Sequence, residues 1–411
     1  MRAAAAQRAA KRPTRPGVTA TPYDHGQAWQ AQRVDVPQPD PQSPHLADVV
    51  PSVLAAMGVA GFTGPIPLPE PVRGACVLLV DGLGAELLDS YAGDAPVLAG
   101  LRGPTLDVGF PSTTAAGLAA VGTGSRSGCH GLVGMSFRLP GAGVVNALRW
   151  RPHPWGEDLR DSVVPEEVQP MPTTFERAAA AGMAVSVVSA AMFTGSGLTR
   201  AVLRGGRYIG VHALGDLAAA VTSAVADGGF CYGYHADLDL LGHLHGPGSA
   251  PWRMQLRQVD RLVESIVDTL PAGALLAVVA DHGMIAVRDA DVVDIDARPE
   301  LLTGVAEVGG EARARHVYAV PGAVDDVLAG WRDTLGELAW VLPREDAIAA
   351  GWFGGPVADA VRPRIGDVVA AARGRAAMVR RTVEPGESAL IGQHGSLTDA
   401  ERRVPLLLAH G

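Results

Sequence analysis

Several features that would place the sequence in a specialised class are scarce or missing. Its 411 residues include three cysteines, a single lysine among 34 basic residues, and 5% aromatic residues. Because the cysteines are scattered and form no CxxC pair, we expect neither a disulfide framework nor a thiolate zinc site, and we expect a reducing, cytoplasmic location. No run of about 18 apolar residues is present, and no apolar segment follows the basic N-terminus. The sequence therefore predicts no transmembrane helix and no secretory signal.

The charge balance argues against a nucleic-acid-binding protein. The chain carries 43 acidic and 34 basic residues, a formal net charge of −9, whereas nucleic-acid binders usually present a basic face. Hydrophobic residues make up 47% and charged residues 19%, which is the balance of a globular chain with a large core. We therefore predict neither a nucleic-acid polymer nor a membrane as partner, and the oligomeric state stays open.

The order of the apolar runs predicts an α/β fold. Continuous apolar segments such as 75–81 and 274–283 alternate with helical patterns such as 213–227 and 251–270. This alternation is typical of a mostly parallel sheet with helices on both faces.

Two segments depart from this alternation. Residues 1–44 are rich in Ala, Arg, Pro and Gln, and we interpret them as a flexible tail in front of one catalytic domain at 45–411. Residues 293–380 predict two strands, a helix and a further strand. We interpret them as a small α+β cap inserted into that domain.

Acidic and histidine residues follow several of the apolar runs. In a doubly wound sheet, ligands bind beyond the carboxyl ends of the strands, so we expect these side chains to share one site. Each alone is typical of a turn or a helix cap, but an Asp-His pair at the end of a buried strand would be costly without a cation. The sequence therefore predicts a zinc site, with manganese as the alternative, whose ligands are Asp81, Asp239, His243, Asp281, His282 and His394.

Hydroxyl side chains precede an alanine-rich helix predicted at 113–124. Ser112, Thr113 and Thr114 could simply cap this helix. In a functional role, they would face its free N–H groups and the positive end of its dipole, both of which favour a phosphate. A bound metal would lower the pKa of such a hydroxyl and turn it into a nucleophile.

With these residues in place, the sequence resembles the alkaline phosphatase superfamily. Within it, the sequence is most similar to the type I phosphodiesterase/nucleotide pyrophosphatase family, with phosphonoacetate hydrolases nearby. The resemblance spans residues 80–395 and depends on an ordered set of motifs. The motifs are VDGLG (80–84), PSTTAAGLAAVGTG (111–124), CHGLVG (129–134), YHADLDLLGHLHGP (234–247), ADHGM (280–284) and QHG (393–395).

The resemblance implies a nucleophile in the second motif. In this family the nucleophile lies nine residues before the threonine that closes the motif, here Thr123. The count selects Thr114, and Thr113 is the runner-up because adjacent hydroxyls leave the register uncertain. The resemblance implies that this threonine attacks phosphorus and forms a phospho-threonine, which is then hydrolysed.

The resemblance also divides the predicted ligands between two zinc ions. The spacing from Tyr234 in the fourth motif selects Asp239 over Asp237 and His243 over His245. One implied set is Asp239, His243 and His394, and the other is Asp81, Asp281 and His282. Tyr234 and His245 are then expected on the substrate side of the site.

One position departs from the family pattern. An asparagine that binds a phosphoryl oxygen is expected 21 residues after the nucleophile, and counting from Thr114 gives Met135. A methionine side chain cannot donate that hydrogen bond. Nearby groups that could take its place are Ser136, Arg138 and the backbone N–H groups of 113–116.

The resemblance thus implies a phosphoric-ester hydrolase, either a phosphodiesterase or a nucleotide pyrophosphatase. The expected substrate is a small-molecule phosphoester, for example a nucleotide. Two alternatives stay open. The same site could serve a phosphomonoesterase or a phosphonate hydrolase, or the chain could be a non-catalytic member that binds metal or phosphate.

Overall fold

A six-stranded sheet lies at the centre of the computed structural model, which describes residues 36–69 and 71–411. Every neighbouring pair of strands is parallel except the pair at one edge, where the last strand of the chain runs antiparallel. The predicted α/β fold with a mostly parallel sheet is therefore confirmed. Across the sheet the strands are Leu407–His410, Ala274–Val279, Gly74–Val80, Phe230–His235, Val185–Ala190 and Arg207–Val211.

The three central strands end at the same edge of this sheet. All residues of Gly74–Val80, Phe230–His235 and Ala274–Val279 are buried, as expected for continuous apolar runs covered on both faces. Leu79 pairs with Tyr234 on one side and with Val279 on the other. Because of this register, the polar segments that follow the three strands begin at one level.

Helices connect and cover the strands close to the predicted positions. The helices of six or more residues are Val49–Ala56, Ala85–Ser90, Thr114–Thr123, Thr174–Ala180, Gly197–Val202, Leu214–Ala226, Asp237–His245, Ala250–Val267, Val324–Leu335 and Arg344–Ala349. Shorter helices are Pro96–Gly100, Ser127–His130, Pro165–Val168, Pro299–Leu302, Pro385–Ser388 and Asp399–Arg402.

A second, four-stranded antiparallel sheet lies within the segment predicted as a cap. Its strands, in spatial order, are Val305–Glu311, Ala314–Ala319, Val368–Ala372 and Ala339–Pro343. The sequence predicted three of these strands and the intervening helix but missed Val368–Ala372. Its sequence, VVAAA, is rich in alanine, the residue with the highest helix propensity. The segment is nevertheless a strand because it pairs with a strand on each side.

Short ribbons tie loops to this framework. The most important for the site pairs Ile285–Ala286 with Gly392–Gln393, which fixes the C-terminal loop beside the segment that follows His282. The others are Thr105–Asp107 with Arg403–Pro405, Val292–Asp294 with Ala377–Val379, and a three-stranded ribbon of Ser136–Leu139, Gly143–Asn146 and Arg151–Pro152.

The end of the predicted N-terminal tail contacts the rest of the chain. The Trp352 indole N–H donates to the Pro37 carbonyl oxygen at 2.9 Å, and the Asp107 N–H donates to the Pro44 carbonyl oxygen at 2.9 Å. Residues 1–35 lie outside the described residues, so the flexibility predicted for 1–44 stays a prediction.

Candidate active site

Asp81, Asp281 and His282 form a first group of possible metal ligands. Asp81 directly follows the strand Gly74–Val80, and the Asp-His pair follows the strand Ala274–Val279. One ligand atom from each residue lies within 4.8 Å of the others. His282 Nε2 lies 3.3 Å from Asp81 Oδ1 and 3.7 Å from Asp281 Oδ2. The shared strand ends thus bring together residues 200 positions apart in the sequence.

Asp239, His243 and His394 form the neighbouring group. Asp239 and His243 are four residues apart on the helix Asp237–His245, so both side chains lie on one face. His243 Nε2 lies 3.2 Å from Asp239 Oδ2 and 3.3 Å from His394 Nε2. His282 belongs to both groups: ligand atoms of Asp239, His282 and His394 lie within 4.8 Å of one another, and the His282 ring stacks on His394 with the centroids 3.5 Å apart. The structure therefore brings all six predicted ligands together at one edge of the sheet.

All three histidines of these groups are oriented by the backbone. The Nδ1 atom of each lies 2.7 to 3.0 Å from a carbonyl oxygen. Since a carbonyl oxygen only accepts, each Nδ1 carries a proton, and in the neutral ring Nε2 then has the free lone pair that a metal-ligating histidine needs. The pairs are His243 with Gly392, His282 with Gly283, and His394 with Ser112.

In each of the three carboxylates, one buried oxygen lacks a hydrogen bond. Asp81 Oδ1, Asp239 Oδ1 and Asp281 Oδ2 are buried without a hydrogen-bond partner. Burial raises the pKa of Asp81 well above its usual range, with Asp281 and Asp239 adding to the effect, and burial also raises the pKa of Asp281. Burial acts in the same direction on Asp239, but His243 and His394 outweigh it and lower the pKa of Asp239. A cation among these oxygens would satisfy all three.

Tyr234 supports one of the carboxylates directly. Its hydroxyl donates to Asp81 Oδ2 at 2.5 Å, and burial raises the pKa of Tyr234 well above its usual range, so it stays a donor. Its ring lies edge-on to Phe193, with centroids 6.2 Å apart. The sequence placed Tyr234 on the substrate side of the site, and the structure adds this support of Asp81.

Thr114 begins the helix Thr114–Thr123 and points into the cluster. Its Oγ1 lies 3.2 Å from His282 Nε2, whereas Thr113 is the extended N-cap residue and only 2% exposed. The helix can lie this close because of Gly117, where an added Cβ would lie 2.5 Å from Asp281 Cβ. The geometry thus favours Thr114 over Thr113 as the reacting hydroxyl.

Two other residues complete the comparison with the sequence. His245 is exposed and two positions past His243 on the same helix, so its side chain leaves the helix on a different side. Glu311 was not predicted, although its buried carboxyl accepts a hydrogen bond from the Met135 N–H at 2.8 Å. The only local signal is the glycine pair in VGGE, which allows close backbone approach.

Cavity volume alone does not locate this site. A cavity of about 580 Å³ is lined by His45, Phe110 and Trp352 and by none of the six predicted ligands. A smaller one, about 170 Å³, is lined by Phe193 and Tyr234 and so adjoins the cluster. Ligand pockets usually measure about 300–1,000 Å³, so the smaller cavity could hold only part of a substrate.

Known structures share this fold. Murine ectonucleotide pyrophosphatase/phosphodiesterase 5 is 16% identical with a TM-score of 0.63, and the match covers 82% of this chain and 88% of that one. An inactive variant of that murine protein, with one threonine replaced by alanine and AMP bound, is 15% identical with a TM-score of 0.61 and coverages of 82% and 87%. Phosphonoacetate hydrolase from Sinorhizobium meliloti 1021, in complex with phosphonoformate, is 20% identical with a TM-score of 0.60 and coverages of 84% and 91%.

Sequence comparisons give the family. No curated protein matches the sequence significantly. Within the described residues, no helix is long and apolar enough to cross a bilayer. A profile of the type I phosphodiesterase/nucleotide pyrophosphatase family matches residues 75–397, a range that contains Thr114 and all six predicted ligands. The chain therefore belongs to this family of the alkaline phosphatase superfamily, whose members are metal-dependent phosphoester hydrolases.

Proposed function

We propose that this chain hydrolyses small phosphodiesters or nucleotide pyrophosphates, using two zinc ions and Thr114 as the nucleophile. The observation that carries the proposal is the position of the Thr114 hydroxyl, 3.2 Å from His282 Nε2 at the edge of the six-residue cluster. The inactive threonine-to-alanine variant of the murine relative supports the choice of a threonine. The three free cysteines, Cys76, Cys129 and Cys231, are the basis for also proposing a cytoplasmic location.

The residues fit two divalent cations. Three buried carboxylate oxygens without partners and three imidazole Nε2 atoms form the kind of donor set that zinc takes in proteins, with manganese less favoured. When bound, the metals would neutralise charge on the phosphoryl oxygens and favour ionisation of the attacking hydroxyl. One ion would be held by Asp81, Asp281 and His282, and the other by Asp239, His243 and His394, with His282 within reach of both sites.

The chain's own groups account for the covalent steps. Thr114 Oγ1 would form a bond to phosphorus while the bond from phosphorus to the leaving ester oxygen breaks; the hydroxyl proton is released, and the leaving oxygen takes up a proton. The product is phospho-threonine, which keeps the second ester group when the substrate is a diester. Water then cleaves phospho-threonine and restores the hydroxyl. The first turn of the helix Thr114–Thr123 has N–H groups without helical partners, and the helix dipole favours negative charge at this end. A phosphoryl oxygen would therefore be stabilised there.

A phosphonate is the second candidate substrate. Met135 stands where the family pattern has an asparagine, and the fold is shared with phosphonoacetate hydrolase. Without the asparagine donor, one oxyanion contact is lost, which costs about 10²–10³ in rate unless another group replaces it. Comparing kcat/KM for p-nitrophenyl phosphate, bis(p-nitrophenyl) phosphate, p-nitrophenyl thymidine 5′-monophosphate and phosphonoacetate separates the classes.

The test of the mechanism is a pair of variants of the zinc-loaded protein. Thr114→Ala should lower kcat by about 10⁴-fold or more, as for other lost nucleophiles. Thr113→Val is the control, and we expect it to keep at least about one hundredth of the activity. If Thr114→Ala keeps full activity, the proposed mechanism is wrong. Bound zinc without turnover of any of the four compounds would instead favour a non-catalytic member.

A further inference from the structure

Glu311 reaches the active site from the second sheet. It ends the strand Val305–Glu311, and its hairpin partner begins at Ala314. The hairpin lies against the loop that holds Met135, since Ser136 Oγ donates to the Gly310 carbonyl oxygen at 2.9 Å. The hairpin thus carries a carboxyl group to the layer where Thr114 and the predicted ligands lie.

The Glu311 carboxyl group lies between three segments of the active site. Glu311 Oε2 accepts from the Met135 N–H at 2.8 Å, and the Thr113 hydroxyl lies beside the carboxyl. A Cβ added at Gly395, the residue after His394, would lie 3.0 Å from Glu311 Oε1. The residue is 7% exposed, and Oε1 has no hydrogen-bond partner of regular geometry. A buried oxygen without a hydrogen bond costs folding free energy, which indicates that the Glu311 carboxyl has a role at this place.

The charged neighbours do not neutralise this carboxyl. The two arginines of the hairpin are already paired, Arg315 with both oxygens of Glu384 and Arg313 with both oxygens of Glu401. Burial raises the pKa of Glu311 to about 7, despite the hydrogen bond from Met135. The carboxyl group therefore depends on the Met135 N–H and the Thr113 hydroxyl for its hydrogen bonds.

We propose that Glu311 is a positioning residue of this active site, joining the Met135 N–H to the Thr113 hydroxyl through one carboxyl group and so holding the turn that presents Thr114. Oε2 accepts from the Met135 N–H, and the Thr113 hydroxyl donates to the same carboxyl group. These hydrogen bonds connect the turn that presents Thr114 to the loop that holds Met135. The Met135 side chain cannot make the contact to a phosphoryl oxygen that the family's asparagine makes. This inference rests on the proposed function, because it assigns Glu311 a task in placing the nucleophile.

The experiment compares substitutions in the zinc-loaded enzyme with p-nitrophenyl thymidine 5′-monophosphate or whichever compound is turned over fastest. Glu311→Ala should lower kcat by about 10- to 100-fold, as expected for a misplaced nucleophile, with KM changed by less than about threefold. Glu311→Gln should keep kcat within about threefold of the wild type, because the amide oxygen still accepts hydrogen bonds and the side chain keeps its size. Glu345→Gln, in the helix Arg344–Ala349 beside the same sheet and paired with Arg362 at the surface, is the matched control and should have no effect.

A double-mutant cycle tests the link to Thr113 and does not depend on one variant folding well. Thr113→Val should cost about as much as Glu311→Ala, and combining the two should cost little more than either alone. Wild-type kcat in Glu311→Ala, a Glu311→Gln variant as slow as Glu311→Ala, or fully additive losses would overturn the inference. If Thr114→Ala is fully active, the proposed function fails. If Thr114→Ala is inactive while Glu311→Ala is unimpaired, only the role of Glu311 fails.

Discussion

The contact between Gly117 and Asp281 gives the sharpest mutational prediction. A Cβ added at Gly117 would lie 2.5 Å from Asp281 Cβ and 3.0 Å from its Cα, whereas carbon atoms pack at about 3.5–4.0 Å. The helix Thr114–Thr123 and the end of the neighbouring strand must therefore separate by about 1 Å. Overpacking of this kind costs about 1–3 kcal/mol, and alanine returns about 1 kcal/mol through its helix propensity.

We therefore expect Gly117→Ala to have a larger effect on kcat than on the free energy of unfolding. The net loss of folding free energy is about 0–2 kcal/mol, but a shift of about 1 Å between the nucleophile and the metal ligands can cost about 10²-fold in kcat. Steady-state kinetics, zinc content and thermal unfolding of the same preparation measure the three quantities.

A second helical glycine provides the control. Gly215 has nothing within 4 Å of an added Cβ, so Gly215→Ala should leave kcat unchanged and slightly raise Tm. If Gly117→Ala matches the wild type in kcat and zinc content, the idea that this close helix packing positions Thr114 is refuted.

Three further predictions concern charge and metal binding. Tyr234→Phe removes the donor to Asp81 Oδ2 and should weaken zinc binding by about 10- to 100-fold in chelator competition, while an unchanged affinity would show that the contact is dispensable. Zinc affinity should still rise with pH above the usual carboxyl range of about 4, because burial raises the pKa of Asp81 and Asp281 and metal must displace the protons; a flat profile would contradict this. Glu384→Gln should cost about 3 kcal/mol at pH 7, because Arg315 overcomes burial and lowers the pKa of Glu384 to about 2. That stability is present above the unfolded pKa of about 4.3 and is lost as pH falls towards 2, so the Tm difference between variant and wild type should shrink in acid.

The sequence was most informative where chemistry follows a strand end. Asp81 and the Asp281–His282 pair could be predicted to meet because parallel strands with continuous apolar runs end at one edge of a sheet. Asp239 and His243 lie on one helical face because they are four residues apart. His394 has no such local signal, and its placement depends on the motif and on the short ribbon of Ile285 with Gln393.

Contacts that depend on packing between distant segments were not predictable. Glu311 reaches Met135 across 176 residues, and nothing in the periodicity of its hairpin indicates that partner. The strand Val368–Ala372 was missed because its conformation is set by its two neighbours and not by its alanine-rich sequence. The role of Tyr234 as a donor to Asp81 follows from strand register, which single-sequence patterns do not fix.

The most direct test of the account is to trap the covalent intermediate. The zinc-loaded protein would be mixed with excess p-nitrophenyl phosphate or the best substrate found, quenched in acid during turnover, digested and analysed by mass spectrometry. We predict a phosphoryl group, or the phosphoryl group with its retained ester, on Thr114 and none in Thr114→Ala. An adduct on Thr113 or on any other residue, together with undiminished turnover by Thr114→Ala, would contradict the account.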